Sequence, residues 1–75
     1  MISYIKRIRD LREDADLSQQ ALAEMLGEHT TTYRRWEIGE TEIPVHIVVA
    51  LCKFYNVSAD YILGFTNEPR KIKKP

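Results

Sequence analysis

Five side chains within six residues, Thr30, Thr31, Thr32, Arg34 and Arg35, offer the chain's densest group of hydrogen-bond donors and methyl groups suited to one task. An arginine can donate two parallel hydrogen bonds to the O6 and N7 edge of guanine, and a threonine methyl can pack on the methyl of thymine in the major groove. Their spacing decides whether they act together. If residues 30–38 form a helix turning 100° per residue with Tyr33 toward the core, His29, Trp36 and Glu37 fall within about 60° of Tyr33. Thr31 and Arg35 then lie about 160° away, with Arg34 and Thr32 about 100° to either side. The outward face is threonine and arginine, and Thr30, Thr31, Arg34 and Arg35 are the candidate contacts to base edges. An ordinary solvated face accounts for the arginines but leaves the threonine cluster without a reason.

Other chemistries find little support. His29 and His46 have no serine or cysteine nucleophile beside them in any recognisable motif, no glycine-rich phosphate loop occurs, and the carboxylates sit at surface helix positions. No catalytic residue is expected. Cys52 is the single cysteine, which rules out an intrachain disulfide; with two histidines besides, a zinc site would need carboxylates to complete its ligands. No metal or other cofactor is expected. Cys52 itself reads as a small buried residue of a helix.

The elements that must hold the threonine and arginine face are all helical. Ser3 caps a first helix in which Tyr4, Ile8, Leu11 and Ala15 draw one apolar stripe, leaving Lys6, Arg7, Arg9, Asp10 and Glu13 on the wet side. Ser18 caps a second, a short and largely buried rod bearing Leu22, Ala23, Met25 and Leu26 and ended by Gly27. The third runs from about Thr30 to Ile38 and is stopped by Gly39. Pro44 opens a fourth, from about Val45 to Tyr55, and Ser58 caps a fifth that ends at Gly64. Val48 and Val49 alone favour a strand; Ile47, Leu51, Phe54 and Tyr55 keep helical spacing, and no other segment alternates as a partner strand would.

Gln19, Ala23, Gly27, Tyr33 and Trp36 stand at relative positions 1, 5, 9, 15 and 18 across the second and third helices. A small residue at Ala23 lets the helices cross closely, Gly27 permits a left-handed turn between them, and Tyr33 with Trp36 makes the inward face of the later one. This is the pattern of a helix-turn-helix. The segments "LSQQALAEMLGEHTTTYRRWEIGE" and "FYNVSADYILG", with Pro44 between them, resemble the Cro/C1-type (lambda-repressor-like, or XRE) DNA-binding domains over about residues 4 to 65. The resemblance implies a five-helix, all-α fold and a sequence-specific transcriptional regulator of double-stranded DNA, in the manner of a small bacterial or phage-type repressor. It places Gln19 where family members hold a phosphate, beside the free N–H groups of a helix start; Thr32 and Thr41 are the further phosphate contacts. It also pairs Glu37 with Arg12 of the first helix, in keeping with the inward position of Glu37 on the wheel. Glu28, His29, Ile38 and Glu40 depart from the residues usual at their positions. An alternative within the same fold is a protein-interaction module, an antitoxin or the partner of another regulator, with an acidic rim that meets protein.

Net charge adds a constraint on partners. Lys+Arg and Asp+Glu number 11 each, so the chain lacks the basic surplus common in DNA-binding proteins. Residues 27 to 43 balance at −2, with two arginines against Glu28, Glu37, Glu40 and Glu42, whereas residues 68 to 75 balance at +3. Non-specific affinity of the helical part should therefore be poor, while base readout and oriented helix starts do not depend on net charge.

Seventy-five residues make one small domain, taken as residues 1–67 followed by a basic flexible tail, 68–75. With 44% hydrophobic and 29% charged residues the composition is that of a folding chain. No run nears the roughly 18 apolar residues of a membrane span, and the first residues lead straight into a charged amphipathic pattern, so a cytoplasmic location without membrane contact is expected. No effector domain for a small-molecule ligand is expected. A domain of this size buries only about 60% of its potential surface, too little to cover every apolar residue from Val45 to Phe65. Some of that surface needs a partner, and the family resemblance points to the fifth helix and the residues just after it, Tyr61, Ile62 and Phe65, as the interface of a homodimer, which would set two third helices roughly 34 Å apart on a near-palindromic site.

Overall fold

The computed structural model describes residues 3–69. Five helices follow one another: α1 (Tyr4–Asp14), α2 (Gln19–Leu26), α3 (Thr30–Glu37), α4 (Val45–Tyr55) and α5 (Ala59–Leu63), with no strand among the described residues. Residues 70–75, most of the basic tail, lie outside the described residues.

Local chemistry sets the helix ends. The hydroxyls of Ser3, Ser18 and Ser58 accept hydrogen bonds from the backbone N–H of Lys6, Ala21 and Tyr61 at 3.2, 3.0 and 3.1 Å, each satisfying one of the donors that a helix start leaves unpaired. Gly27 closes α2 with φ 72°, and a Cβ there would meet nothing within 4 Å, so the glycine serves the backbone angle alone. Gly39 has a second reason. Besides its φ of 76°, a Cβ would stand 2.8 Å from Cδ1 of Ile5, so the chain leaving α3 passes close against α1.

One core joins the helices: Ile8, Leu22, Ala23, Tyr33, Trp36, Ile47, Leu51, Cys52, Val57 and Ile62 are buried. α2 packs on α3, α1 lies against α3 and α5, and α4 packs on α5. Tyr33 and Trp36 meet edge to face with ring centroids 6.0 Å apart, the favoured aromatic arrangement. Burial raises the pKa of the Cys52 thiol, as suits a core residue.

Four positions differ from the sequence pattern. Arg7, expected in water, is buried: its Nη2 donates to Oδ1 of Asn67 at 2.9 Å, and its guanidinium lies 3.9 Å from the centroid of the Tyr61 ring. The cation is tolerated because a ring face and a side-chain carbonyl replace part of its hydration. Met25 is exposed, since Leu22 and Ala23 already fill the buried side of the short α2. Ala15 caps α1 and is exposed, so the stripe ends a turn early. Ile62 is fully buried in its own core, where no second copy can reach it, so it drops out of the expected dimer interface. Phe65, past the turn at Gly64, is 68% exposed.

The hydroxyl of Tyr55 is buried without a hydrogen-bond partner, and burial pushes this phenol up to about 12. An unsatisfied buried hydroxyl costs on the order of 1–3 kcal/mol. Tyr55→Phe should therefore leave stability unchanged or raise it by up to about 1 kcal/mol, read from urea unfolding. A loss above about 1 kcal/mol would mean that the hydroxyl has a partner.

Candidate nucleic-acid interface

The candidate interface is built from the start of α2, the turn at Gly27 and the outward side of α3. His29 precedes α3 in an extended conformation (φ −73°, ψ 145°), so helical rotation does not carry it toward the core and it is exposed. It makes no side-chain cap, which leaves the first N–H groups of α3 without a side-chain acceptor. Beyond it Thr30, Thr31, Arg34 and Arg35 are exposed and Thr32 is half-buried. Neither Arg34 nor Arg35 forms an ion pair among the described residues. Their ten N–H donors between them are open to a ligand.

The inward side of the same helix is fixed by a buried charge. The Arg12 guanidinium forks onto Glu37, with Nε to Oε2 at 2.7 Å and Nη2 to Oε1 at 3.1 Å, while Nη1 donates to the carbonyl of Leu17 at 2.8 Å. The two side chains are only 13% and 3% exposed. Burial alone would raise the pKa of Glu37, but the donors aimed at its carboxylate outweigh that and hold it below the usual range. One of those donors was not legible in the sequence: Nε2 of Gln19 reaches Oε1 of Glu37 at 3.2 Å. Glu37 thus ties α3 to both α1 and the start of α2, and one amide hydrogen of Gln19 remains for another acceptor.

The segment after α3 folds back on it. The N–H groups of Glu40 and Thr41 donate to the carbonyl of Arg35 at 2.9 and 3.4 Å, which sets the Thr41 side chain in solvent beyond the end of α3. Ile38, 62% exposed, extends the outward stripe seven residues after Thr31 and adds an apolar group to it. Glu40 and Glu42 are exposed nearby, the acidic rim expected around this helix.

Two short helices joined by a glycine turn, the second held by its inward side and bare outside, have the geometry of a helix-turn-helix. The model of the helix-turn-helix family matches residues 8–62. The chain belongs to the Cro/C1-type helix-turn-helix family. This family member is 38% identical over 66 residues to the uncharacterized HTH-type transcriptional regulator YobD of Bacillus subtilis (strain 168), an alignment covering 88% of the chain and 59% of the relative. It is also 37% identical over 72 residues to the cryptic phage CTXphi transcriptional repressor RstR of Vibrio cholerae, covering 93% and 65%. The chain therefore spans less than two thirds of the length of these curated relatives. No helix among the described residues is long and apolar enough to cross a membrane.

The side chains singled out for base contact come together on one face of α3. Those singled out for phosphate contact, Gln19, Thr32 and Thr41, lie at the start of α2, on the flank of α3 and beyond its end. The dimer candidates separate: Phe65 is exposed, Tyr61 is half-buried beneath Arg7, and Ile62 belongs to the core.

Proposed function

We propose that this helix-turn-helix domain is a sequence-specific DNA-binding transcriptional regulator that lays α3 in the major groove. The observation that carries the proposal is the exposed face of α3, where two arginines without ion-pair partners stand beside Thr30 and Thr31. Arg34 and Arg35 would read guanine edges, and Thr30 and Thr31 would pack on or hydrogen-bond neighbouring bases. Gln19, through its free amide hydrogen, and the hydroxyls of Thr32 and Thr41 would hold phosphates and set the register. The Arg12–Glu37 pair would position the reading helix without touching DNA. The name of the RstR relative, a transcriptional repressor, supports repression as the mode of action. Residues 1–67 would form the DNA-binding unit, with the basic segment 68–75 appended to it.

The same proposal includes a homodimer. Val45, Val49, Leu63 and Phe65 are exposed, and Val45 and Leu63 line a mostly apolar groove with Tyr4, Glu42, Ile43, Val48 and Ala59. Tyr61 and Phe65 remain the interface candidates of the original set. One specific observation favours the alternative of a protein-interaction module: Glu40 and Glu42 at the end of α3 repel phosphate and would suit a basic protein surface.

Selection of bound sites from random duplex DNA tests the proposal. Enrichment of a near-palindrome with half-sites about 10 base pairs apart, sedimenting with two chains per duplex, is the expected result. A one-to-one complex on that duplex would remove the dimer, and no enrichment at all would leave the interaction module.

A further inference from the structure

The Glu37 carboxylate, at the end of α3, is where three helices meet. Arg12 of α1 gives it Nε and Nη2, and Gln19, the first residue of α2, gives it Nε2 at 3.2 Å. Burial favours the protonated form of Glu37, but the donors of Arg12, Tyr33 and Gln19 outweigh that and keep it ionised. Tyr33 is fully buried, whereas Gln19 is half-buried and reaches the candidate interface at the start of α2.

Ionisation of Glu37 fixes which way the Gln19 amide faces. A carboxylate without its proton only accepts hydrogen bonds, so Gln19 must turn its NH2 group toward Glu37 and not its carbonyl. The second hydrogen of that group has no acceptor among the described residues. A DNA phosphate, like Glu37, can only accept. The same NH2 group therefore has one hydrogen for each of two anions, and the Arg12 guanidinium neutralises the nearer one, so no bare carboxylate stands behind the amide to repel a phosphate. A glutamine free in solvent would present either end of its amide and would lose rotamer freedom on binding. Gln19 is already aimed.

We infer that Glu37 is a positioning residue for the phosphate contact at the start of α2, holding the Gln19 amide so that one hydrogen meets the carboxylate and the other meets a DNA phosphate. This rests on the DNA-binding function proposed above. Because Glu37 belongs to α3, the helix that reads the bases also sets the grip on the backbone, and the two contacts are kept in one register.

The test uses the full chain and two duplexes of about 20 base pairs, one carrying a selected site and one scrambled, titrated between about 50 and 300 mM salt. Gln19→Leu keeps much of the side-chain bulk and removes both hydrogen bonds. It should weaken binding at least about tenfold on both duplexes. The slope of log affinity against log salt should not change, because a neutral donor releases no counterion. Glu37→Gln can meet Gln19 with either end of its own amide, so binding should fall severalfold, and adding Gln19→Leu to it should cost less than in the parent chain. The side-chain amide resonances of Gln19 in the parent give a readout that needs no variant to fold. On addition of either duplex one Nε2 hydrogen should keep its position, held by Glu37, while the other shifts as it meets phosphate. Three results would overturn the positioning role and leave base reading by α3 standing: neither hydrogen moving while the backbone amides of Thr31 and Arg35 do, losses from the two substitutions that simply add, or a Gln19→Leu loss confined to the selected duplex. Failure of the parent chain to bind either duplex at about 50 mM salt would overturn the function and the positioning role together.

Discussion

Glu37→Ala is expected to destabilise the fold by about 3–5 kcal/mol, because it strands the Arg12 guanidinium in a site where Glu37 is its charge partner. For a domain of this size that corresponds to a fall in melting temperature of at least about 12 °C. Glu40→Ala removes an exposed carboxylate three residues away and should stay within about 0.5 kcal/mol of the parent. Equal melting temperatures for the two variants would show that the pair is energetically no different from a surface charge. The same carboxylate imposes a pH dependence. Its pKa is lower in the folded state than the roughly 4.3 of a free glutamate, so its stabilisation is present above that value and is lost as pH falls through the folded pKa. Glu37→Gln should flatten the acid limb of the stability curve; an unchanged limb would assign acid sensitivity to other carboxylates.

The second large effect concerns affinity rather than folding. Arg35→Ala should weaken binding to a selected site by about 1–3 kcal/mol, roughly tenfold to a hundredfold, and relax the preference at one base pair. On scrambled DNA the loss should be much smaller. Equal losses on both would make Arg35 a phosphate contact. Folding should be untouched, since the side chain is exposed and makes no ion pair among the described residues.

Comparison of the two residues shows which parts of the fold a sequence can disclose. Arg35 and Glu37 are placed by local rules: a capped start at Ser18, glycine turns at positions 27 and 39, and rotation about one helix put them on opposite sides of α3. The serine caps and the proline and glycine boundaries are likewise interactions within a few residues, so all five helices could be read directly. The burial of Arg7 could not. It depends on Asn67, sixty residues on, and on the ring of Tyr61, and nothing near Arg7 in the chain distinguishes it from solvated Arg9. Gln19 shows the same limit at the candidate site. Its place at the start of α2 was legible, but its bond to Glu37 arises from the crossing of α2 and α3 and divides its amide between a structural and a free hydrogen. Apolar patterning also overestimated the dimer face, because residue type alone does not separate Ile62, inside the core, from Phe65, just beyond a left-handed turn at Gly64.

Under the proposed function, the −2 balance of residues 27–43 would give the charges on α3 a role in discrimination more than in attraction. Electrostatic attraction independent of sequence is weak for a body that bears Glu40 and Glu42 beside its reading helix. Contacts that require the right base edges then account for a larger share of the affinity, and a second copy would double them.

The most direct measurement of the central claim is a titration of the isotope-labelled chain with duplex DNA carrying a selected site, followed residue by residue through the backbone amide resonances. Binding through the outward side of α3 predicts the largest shifts at Thr30, Thr31, Arg34 and Arg35, smaller ones at Gln19 and Thr41, and none arising from DNA contact at Val45 or Val49 on α4. Shifts concentrated on α4 and α5, with Thr31 and Arg35 unmoved, would contradict it.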